Sequence, residues 1–403
     1  MPQPTDLEMF AITAPGIERL TLDELRTLGV KQAEAERGGI VFRGSLETLY
    51  ATNLWLRTAS RIVVRVARFH AESFSELERR AAKIPWKKFL GGAAGDVEAA
   101  FRVTCRKSRL YHSDAVAERL MCAAGGAGAG VKAHSANEEE ATENGDIGSH
   151  VQLFIVRLEH DEVSISADSS GPLLHRRGYR PEATRAPLRE TLAAAMLLAS
   201  GWKPGTPLLD PLCGSGTIPI EAAMIAQNVA PGASRSFAFE QWPSFDPVLW
   251  SRVREAALCA RTVQAISPIM GGDRDEGAVE IAKRNAERAG IADGVSFHMR
   301  SLTDSLTELE RVASGGACIV TNPPYGVRVT GGASLRNLYA TLASRLAKHE
   351  AWSLGILTSD DKLARQSGAP LQSAFKTRNG GIPVTFLTTR RGGDARPEPT
   401  DAE

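Results

Sequence analysis

The residues of this chain best suited to chemistry are Asn322, Pro323, Pro324 and Tyr325, which directly follow the apolar run 317–321. This order predicts a buried strand that ends in a stiff loop, because each proline fixes φ and lacks a backbone donor. In such a loop an Asn oxygen and a backbone carbonyl can accept both N–H bonds of a planar amino group, while the ring stacks on it. The motif therefore predicts chemistry on an exocyclic or amide NH2, and the alternative is an ordinary turn.

A glycine-rich loop precedes this motif and joins a predicted strand to a predicted helix, the place where open α/β sheets bind ligands. The loop consists of Asp210, Pro211, Leu212, Cys213, Gly214, Ser215, Gly216 and Thr217. It lacks the Gly-Lys-Ser/Thr ending of a nucleoside triphosphate loop, and Pro219 occupies the position of the third glycine of a dinucleotide loop. An aspartate ahead of the loop disfavours a pyrophosphate and favours the ammonium and sulfonium of S-adenosylmethionine, so the loop predicts that cofactor.

Two more carboxylates follow later predicted strands. Asp273 ends the second strand and is placed to accept hydrogen bonds from two ribose hydroxyls, as in other adenosine sites. Asp304 comes shortly after the third strand, where it can contact the adenine amino group or cap a surface helix.

The elements that must position these residues change type along the chain. Strand and helix patterns from 9 to 67, and again from 73 to 167, predict two small α+β units. Beyond Pro187 strands and helices alternate, which predicts a parallel sheet covered by helices on both faces. Near the end, Asn379, Gly380 and Gly381 separate two strand patterns and predict an antiparallel hairpin.

Composition bounds the class of protein. A chain of 403 residues with 43% hydrophobic and 24% charged residues predicts a globular protein of about two or three domains. The net charge of +1 argues against a uniformly basic protein but allows local basic patches. The five cysteines form no C-x-x-C pair of the kind that starts a zinc site or redox couple. No stretch of the sequence reaches the length of a membrane span, which is about 20 apolar residues. We therefore expect a cytoplasmic protein with no metal site, no export signal and no membrane contact.

Together these motifs resemble those of class I S-adenosylmethionine-dependent amino-methyltransferases. Further segments resemble the THUMP-domain RNA methyltransferase family, specifically its large-subunit ribosomal RNA guanine-N2 branch. These segments are 107–113, 174–180 and 186–193, together with 230–232 and 237–242 in an insertion after the first strand and helix. The resemblance extends from about residue 7 to 389.

The resemblance implies an α/β fold in which a Rossmann-like seven-stranded methyltransferase domain with a C-terminal antiparallel hairpin follows N-terminal α+β ferredoxin-like and THUMP modules. It implies a ferredoxin-like module over 1–70, a THUMP RNA-binding domain over 71–170, a methyltransferase domain over 171–390 and a disordered tail over 391–403.

The resemblance also implies an activity, the methylation of the exocyclic N2 of a guanine in 23S ribosomal RNA. Asn322 and the Pro323 carbonyl would then hold the amino group, and Tyr325 would stack on the base. The family usually has an acidic residue just after the third strand, where this chain has Ser301. Whether Asp304 replaces that adenine contact is left open.

The expected partner is structured RNA, either 23S ribosomal RNA or its precursor, with transfer RNA as the alternative. Phosphate contacts are expected from four local clusters of basic residues: Arg57, Arg61, Arg65 and Arg68; Arg79, Arg80, Lys83, Lys87 and Lys88; Arg102, Arg106, Lys107 and Arg109; and Arg176, Arg177 and Arg180. Two other functions stay open, a protein glutamine methyltransferase and a non-catalytic RNA-binding or ribosome-assembly factor.

Overall fold

The structure, a computed structural model, describes residues 6–90, 98–125, 151–180, 188–262, 267–324 and 332–389. The chain forms two compact units, of which the first comprises Met1–Ala195 with Gln227–Gln264 and the second Met196–Ala226 with Ala265–Glu403. Tyr325 and the expected tail 391–403 lie outside the described residues. None of the helices in the described ranges has the length and hydropathy that a membrane span requires.

The elements are numbered along the chain. The first half contains β1 (Leu7–Thr13), α1 (Glu18–Thr27), β2 (Ala33–Glu36), β3 (Gly39–Gly44), α2 (Leu46–Trp55), β4 (Ala59–His70), α3 (Phe74–Ala81), β5 (Glu98–Arg106), α4 (Ser113–Gly125), β6 (Val151–Glu159), β7 (Glu162–Asp168) and α5 (Glu190–Ser200). The second half contains β8 (Leu208–Asp210), α6 (Thr217–Ala226), α7 (Pro247–Cys259), β9 (Ile269–Asp273), α8 (Glu276–Arg288), β10 (Ser296–Met299), α9 (Leu302–Val312), β11 (Cys318–Thr321), α10 (Gly332–Leu346), β12 (Ser353–Thr358), α11 (Asp361–Arg365), β13 (Gln372–Asn379) and β14 (Ile382–Thr388).

The first unit is built on one sheet, whose seven described strands lie in the order β2-β3-β1-β4-β7-β6-β5. The long strand β4 joins the two halves of this sheet, because β4 pairs antiparallel with β1 on one side and with β7 on the other. Helices α2 and α3 begin at Ser45 and Ser73, whose hydroxyls accept backbone N–H bonds. The two α+β segments expected from the sequence therefore share a continuous sheet.

The inserted segment packs into the core of the first unit over its described residues 227–262. Tyr50 stacks on Phe239 at 4.6 Å between ring centroids, and Trp250 meets Tyr50 edge-on at 5.6 Å. The Trp242 indole N–H donates to Gln152 Oε1 at 2.6 Å. Phe237 is also buried, so these aromatic side chains form part of the packed core and are not free to stack on a base.

The second unit has a sheet of seven described strands in the order β10-β9-β8-β11-β12-β14-β13. Neighbours from β10 to β12 are parallel, and β14 pairs antiparallel with both β12 and β13. Central strands such as β11 are buried throughout, as expected of a parallel sheet covered on both faces. This topology confirms the predicted α/β fold with a C-terminal hairpin. The strand β9 runs through two glycines and ends at Asp273, as the sequence predicted.

Candidate active site

Three predicted site segments meet at one edge of the second sheet. The strands β9, β8 and β11 are neighbours, and they end at Asp273, Asp210 and Thr321. Because the carboxyl ends of parallel strands lie at the same edge, the topology brings these residues together over more than 100 positions of sequence. This edge is where open α/β sheets bind their ligands.

Asp210 is buried beneath the glycine loop, with 2% of its surface exposed. Its Oδ1 accepts the Thr321 hydroxyl at 2.8 Å and the Leu212 backbone N–H at 3.1 Å. Burial, with a smaller contribution from the negative charge of Asp273, raises the pKa of Asp210 to about 7 even though both hydrogen bonds oppose the shift. A cationic ligand group beside this carboxylate would favour its charged form.

Backbone hydrogen bonds fix the path of the loop 210–217. Cys213 N–H donates to the Gly272 carbonyl at 2.9 Å, Gly216 N–H donates to the Cys213 carbonyl at 2.8 Å, and Gly214 N–H donates to Asp273 Oδ2 at 2.9 Å. Beneath them the Asn285 amide donates to the Ser215 carbonyl at 3.0 Å. These hydrogen bonds thus hold the loop to β9 and α8.

The two loop glycines are needed for different reasons, although both have positive φ, +51° at Gly214 and +85° at Gly216. A Cβ on Gly216 would lie 2.9 Å from the Phe297 ring, which packs under the loop. A Cβ on Gly214 would have no atom within 4 Å, apart from its chain neighbours. The loop is therefore closed beneath Gly216 and open at Gly214, which fits a ligand lying along its outer side.

The carboxylates of Asp273 and Asp304 occupy different settings. Asp273 accepts the Gly214 N–H with Oδ2 and the Asp275 N–H at 3.0 Å with Oδ1, so both oxygens are oriented at the end of β9. Asp304 is exposed in the first turn of α9, where its backbone N–H donates to Ser301 Oγ at 3.2 Å and its Oδ2 accepts the Ser301 hydroxyl at 2.7 Å. The N-cap of α9 is therefore Ser301 rather than Asp304, and the adenine contact of Asp304 stays a prediction.

Asn322 follows β11 directly, and its Oδ1 is buried with no hydrogen-bond partner among the described residues. Leaving a buried amide oxygen unpaired costs about 1–3 kcal/mol. Pro323 is buried and Pro324 is exposed. An unsatisfied acceptor between a rigid strand and two prolines is the arrangement expected of a group that holds an N–H donor.

The thiol of Cys213 lies within the loop but is buried, and burial raises its pKa well above the usual value. It is therefore a packing residue rather than a nucleophile. Sequence reasoning missed Thr321 and Phe297 as supports of the site. Nothing in the sequence pairs Thr321 with Asp210, and Phe297 reads only as an apolar residue of a short strand.

Two groups of the predicted phosphate-contacting cations differ in burial in the first unit. Arg57, Arg61 and Arg177 are almost fully buried. Arg61 pairs with the buried Asp168, and Arg177 donates to the backbone carbonyls of Leu174 and Arg57. The expectation that these arginines meet phosphates is wrong, because burial commits their guanidinium groups to internal partners.

The second group is a basic ridge, which we define as the five exposed residues Arg79, Arg80, Lys83, Lys87 and Lys88. The segment 79–88 contains no acidic residue. Trp86 anchors the segment 79–88. It is 5% exposed, and its indole N–H donates to the Ala81 carbonyl at 3.0 Å. The ridge is therefore an ordered cationic surface suited to phosphate groups.

Comparisons with known proteins match both units. Residues 177–387 match the model of an RMKL-like methyltransferase domain, and residues 8–63 match an RlmL ferredoxin-like domain. The ribosomal RNA large subunit methyltransferase K/L of Syntrophotalea carbinolica is 35% identical over 94% of this chain and 53% of its own length. The chain thus spans about half the length of that relative.

Other relatives are matched over nearly their full length. YpsC of Bacillus subtilis, named as a candidate RNA methyltransferase, is 35% identical over 93% of this chain and 94% of its own. The crystal structure of SMU.472, a candidate methyltransferase complexed with SAH, superposes with a TM-score of 0.79 at 32% identity, over 96% of this chain and 98% of that one.

Proposed function

Since this chain belongs to the RMKL-like methyltransferase family, we propose that it methylates the exocyclic N2 of a guanine in 23S ribosomal RNA, with S-adenosylmethionine as the methyl donor. The observation that carries this proposal is the buried, unpaired Oδ1 of Asn322 beside the end of β8. An acceptor in that position can hold an amino group close to a cofactor on the glycine loop.

The residues present fit the cofactor. Asp210, near the loop, suits an ammonium group, and Asp273 suits the ribose hydroxyls. The open side at Gly214 provides room for the ligand to approach the backbone. When bound, the cofactor supplies an electrophilic methyl group on a positively charged sulfur. Asp304 is the proposed contact of the adenine amino group, and the hydrogen bond that its carboxylate accepts from the Ser301 hydroxyl holds that carboxylate in place.

The amino group is positioned by Asn322 and the carbonyl of Pro323. Guanine N2 is a poor nucleophile because its lone pair is delocalised into the ring. Two acceptors that bind its hydrogens favour a lone pair directed out of the ring plane, toward the methyl group. Alignment is then the main source of rate enhancement, and no strong base is required because the methylated nitrogen can release its extra proton to water after the transfer. Pro324 stiffens the loop, and Tyr325 is proposed from sequence to stack on the base.

RNA is the proposed substrate because the first unit presents the basic ridge. Its five cations lie in a segment without carboxylates, whereas a protein substrate would not require a phosphate-binding surface. Large-subunit RNA is favoured over transfer RNA because the K/L relative is named as a large-subunit ribosomal RNA methyltransferase. A guanine within a helix would have to be flipped out at a cost of a few kcal/mol.

The experiment is mass spectrometry of nucleosides after incubation of the protein with isotopically labelled S-adenosylmethionine and either unmodified large-subunit RNA or transfer RNA. We expect labelled N2-methylguanosine in the large-subunit sample. Label in transfer RNA alone would show that transfer RNA, not large-subunit RNA, is the substrate. Label at another atom would overturn the guanine-N2 assignment. No label in either RNA, with label in a glutamine-containing protein, would overturn the RNA assignment.

A matched pair of variants tests the site. Asn322→Ala should lower the transfer rate about 10²- to 10³-fold, by analogy with loss of one positioned hydrogen-bonding group, while S-adenosylhomocysteine still binds. Asn337→Ala removes an exposed asparagine of α10 and should leave the rate unchanged.

A further inference from the structure

An exposed aromatic residue stands out on the first unit. Tyr111 is 69% exposed, whereas the preceding residue, Leu110, is 5% exposed. Both lie in the loop 107–112 that connects β5 to α4. Packing explains the burial of Leu110 but not the exposure of the large Tyr111 ring. Solvent-exposed tyrosines are common contact residues in interfaces.

Hydrogen bonds to the turn between β6 and β7 hold this loop in place. The Ser108 hydroxyl donates to the Arg106 carbonyl at 3.0 Å and accepts the Asp161 N–H at 3.0 Å. The Arg109 backbone N–H donates to Asp161 Oδ1 at 2.7 Å. The ring of Tyr111 is therefore carried by an ordered backbone, which lowers the entropy lost when it binds a partner.

The second ring of the pair is His112, whose centroid lies 4.1 Å from that of Tyr111 with the planes tilted by 42°. This contact limits the orientations of the tyrosine. Because 69% of the residue is still exposed, the ring remains accessible to a planar ligand.

The loop carries one cation that is available to an anionic partner. Lys107 is exposed and has no carboxylate partner among the described residues. The nearby carboxylate of Glu72 is bound by the Arg109 side chain, and Asp161 is bound by the Arg109 backbone. The ligand atoms of His70, Glu72 and Asp161 lie within 4.8 Å of one another, but Arg109 already supplies a cation to Glu72, so this cluster does not carry a metal proposal.

We propose that Tyr111, supported by His112, stacks on an unpaired nucleobase of the RNA, with Lys107 contacting a neighbouring phosphate. The proposal rests on RNA being the substrate class and adds a second contact on the first unit, separate from the methylated guanine. Stacking accepts any base, because each has a π face. The partner is thus an unpaired stretch of RNA rather than a defined sequence or a duplex.

The test measures affinity of the full chain for two fluorescein-labelled RNAs, a hairpin with a loop of about eight unpaired nucleotides and a fully paired duplex. Tyr111→Ala should weaken hairpin binding about 5- to 150-fold, the range expected for one stacked base. Tyr111→Trp should retain it. Duplex binding should change little. Leu258→Ala, which truncates a residue of the first unit that is 68% exposed, is the matched control and should bind both RNAs normally.

The outcomes separate this proposal from the proposed function. Normal hairpin binding by Tyr111→Ala, or equal weakening on hairpin and duplex, would overturn the stacking proposal even if the wild-type protein methylates RNA. Selective loss of hairpin binding would support it even if no methyl transfer to guanine is found.

Discussion

The hydroxyl of Thr321 donates a 2.8 Å hydrogen bond to Oδ1 of Asp210, although the two residues are 111 positions apart. Asp210 ends β8 and Thr321 ends the neighbouring strand β11. The next residue, Asn322, carries the unpaired acceptor. One buried hydrogen bond therefore connects the carboxylate proposed for the cofactor to the residue directly before Asn322, the residue proposed for the amino group.

Thr321→Val should weaken binding of S-adenosylhomocysteine about tenfold near pH 7, because a buried charged acceptor loses its donor. Loss of the donor should also raise the pKa of Asp210 further, so the affinity should rise with pH over a higher range than in the wild type. Calorimetric titration between about pH 6 and 9 measures both effects. Thr321→Ser keeps the hydroxyl and should restore the wild-type profile, and a valine variant with an unshifted profile would contradict the positioning role.

Asp210→Asn should separate stability from cofactor binding. The Asn oxygen can keep both hydrogen bonds now made to Oδ1. Because the pKa of Asp210 is raised to about 7, the folded protein binds a proton more tightly than the unfolded chain, and ionisation destabilises the fold as pH rises from about 4 to 7. The variant should therefore melt above the wild type at pH 8, with the difference shrinking toward pH 5.5, while cofactor affinity is lost. Thermal unfolding across this range checks the sign, and a difference independent of pH would contradict the assignment.

Gly214→Ala and Gly216→Ala form a matched pair on one loop. Gly216→Ala brings a Cβ to 2.9 Å from Phe297 at a positive φ, so it should lower the free energy of unfolding by about 1–3 kcal/mol. Gly214→Ala meets no clash but places a methyl on the open side of the loop. It should lower stability by about 1 kcal/mol from backbone strain and weaken cofactor binding more than Gly216→Ala does. Denaturant titrations and cofactor titrations on both variants decide this, and the reverse order of cofactor affinities would place the ligand elsewhere.

The sequence predicted what depends on local pattern and missed what depends on pairing between distant residues. Apolar runs and the hairpin at Asn379 to Gly381 gave the parallel sheet and its antiparallel end, because strand burial and turn chemistry are local. The support of Asp210 by Thr321 was not predictable, since it depends on which strands become neighbours. Arg61 looked like a phosphate contact because its partner, Asp168, is 107 residues away.

Arg61→Met should destabilise the first unit rather than weaken RNA binding. The side chains of Arg61 and Asp168 are 4% and 2% exposed, so removing the arginine leaves a buried carboxylate without its charged partner, at a cost of about 3–5 kcal/mol. Chemical denaturation followed by tryptophan fluorescence measures the loss. The double variant with Asp168→Leu should recover part of it, and a selective loss of RNA affinity with unchanged stability would contradict the structural role.

Replacing Arg80, Lys83, Lys87 and Lys88 of the basic ridge by Gln should have the opposite effect, with lower RNA affinity at unchanged melting temperature. These side chains are exposed, so little packing is lost and the melting temperature should not change. Each phosphate contact that is removed should reduce the slope of log affinity against log salt concentration. The expected reduction on duplex RNA is about 0.9 per contact, the value for B-form DNA. Binding measured over a salt series gives the slope directly. The control replaces Arg19, Lys31 and Arg37, exposed cations of the first unit outside the ridge, and should leave the slope near that of the wild type. Equal changes in both variants would show that net charge, not the ridge, governs binding.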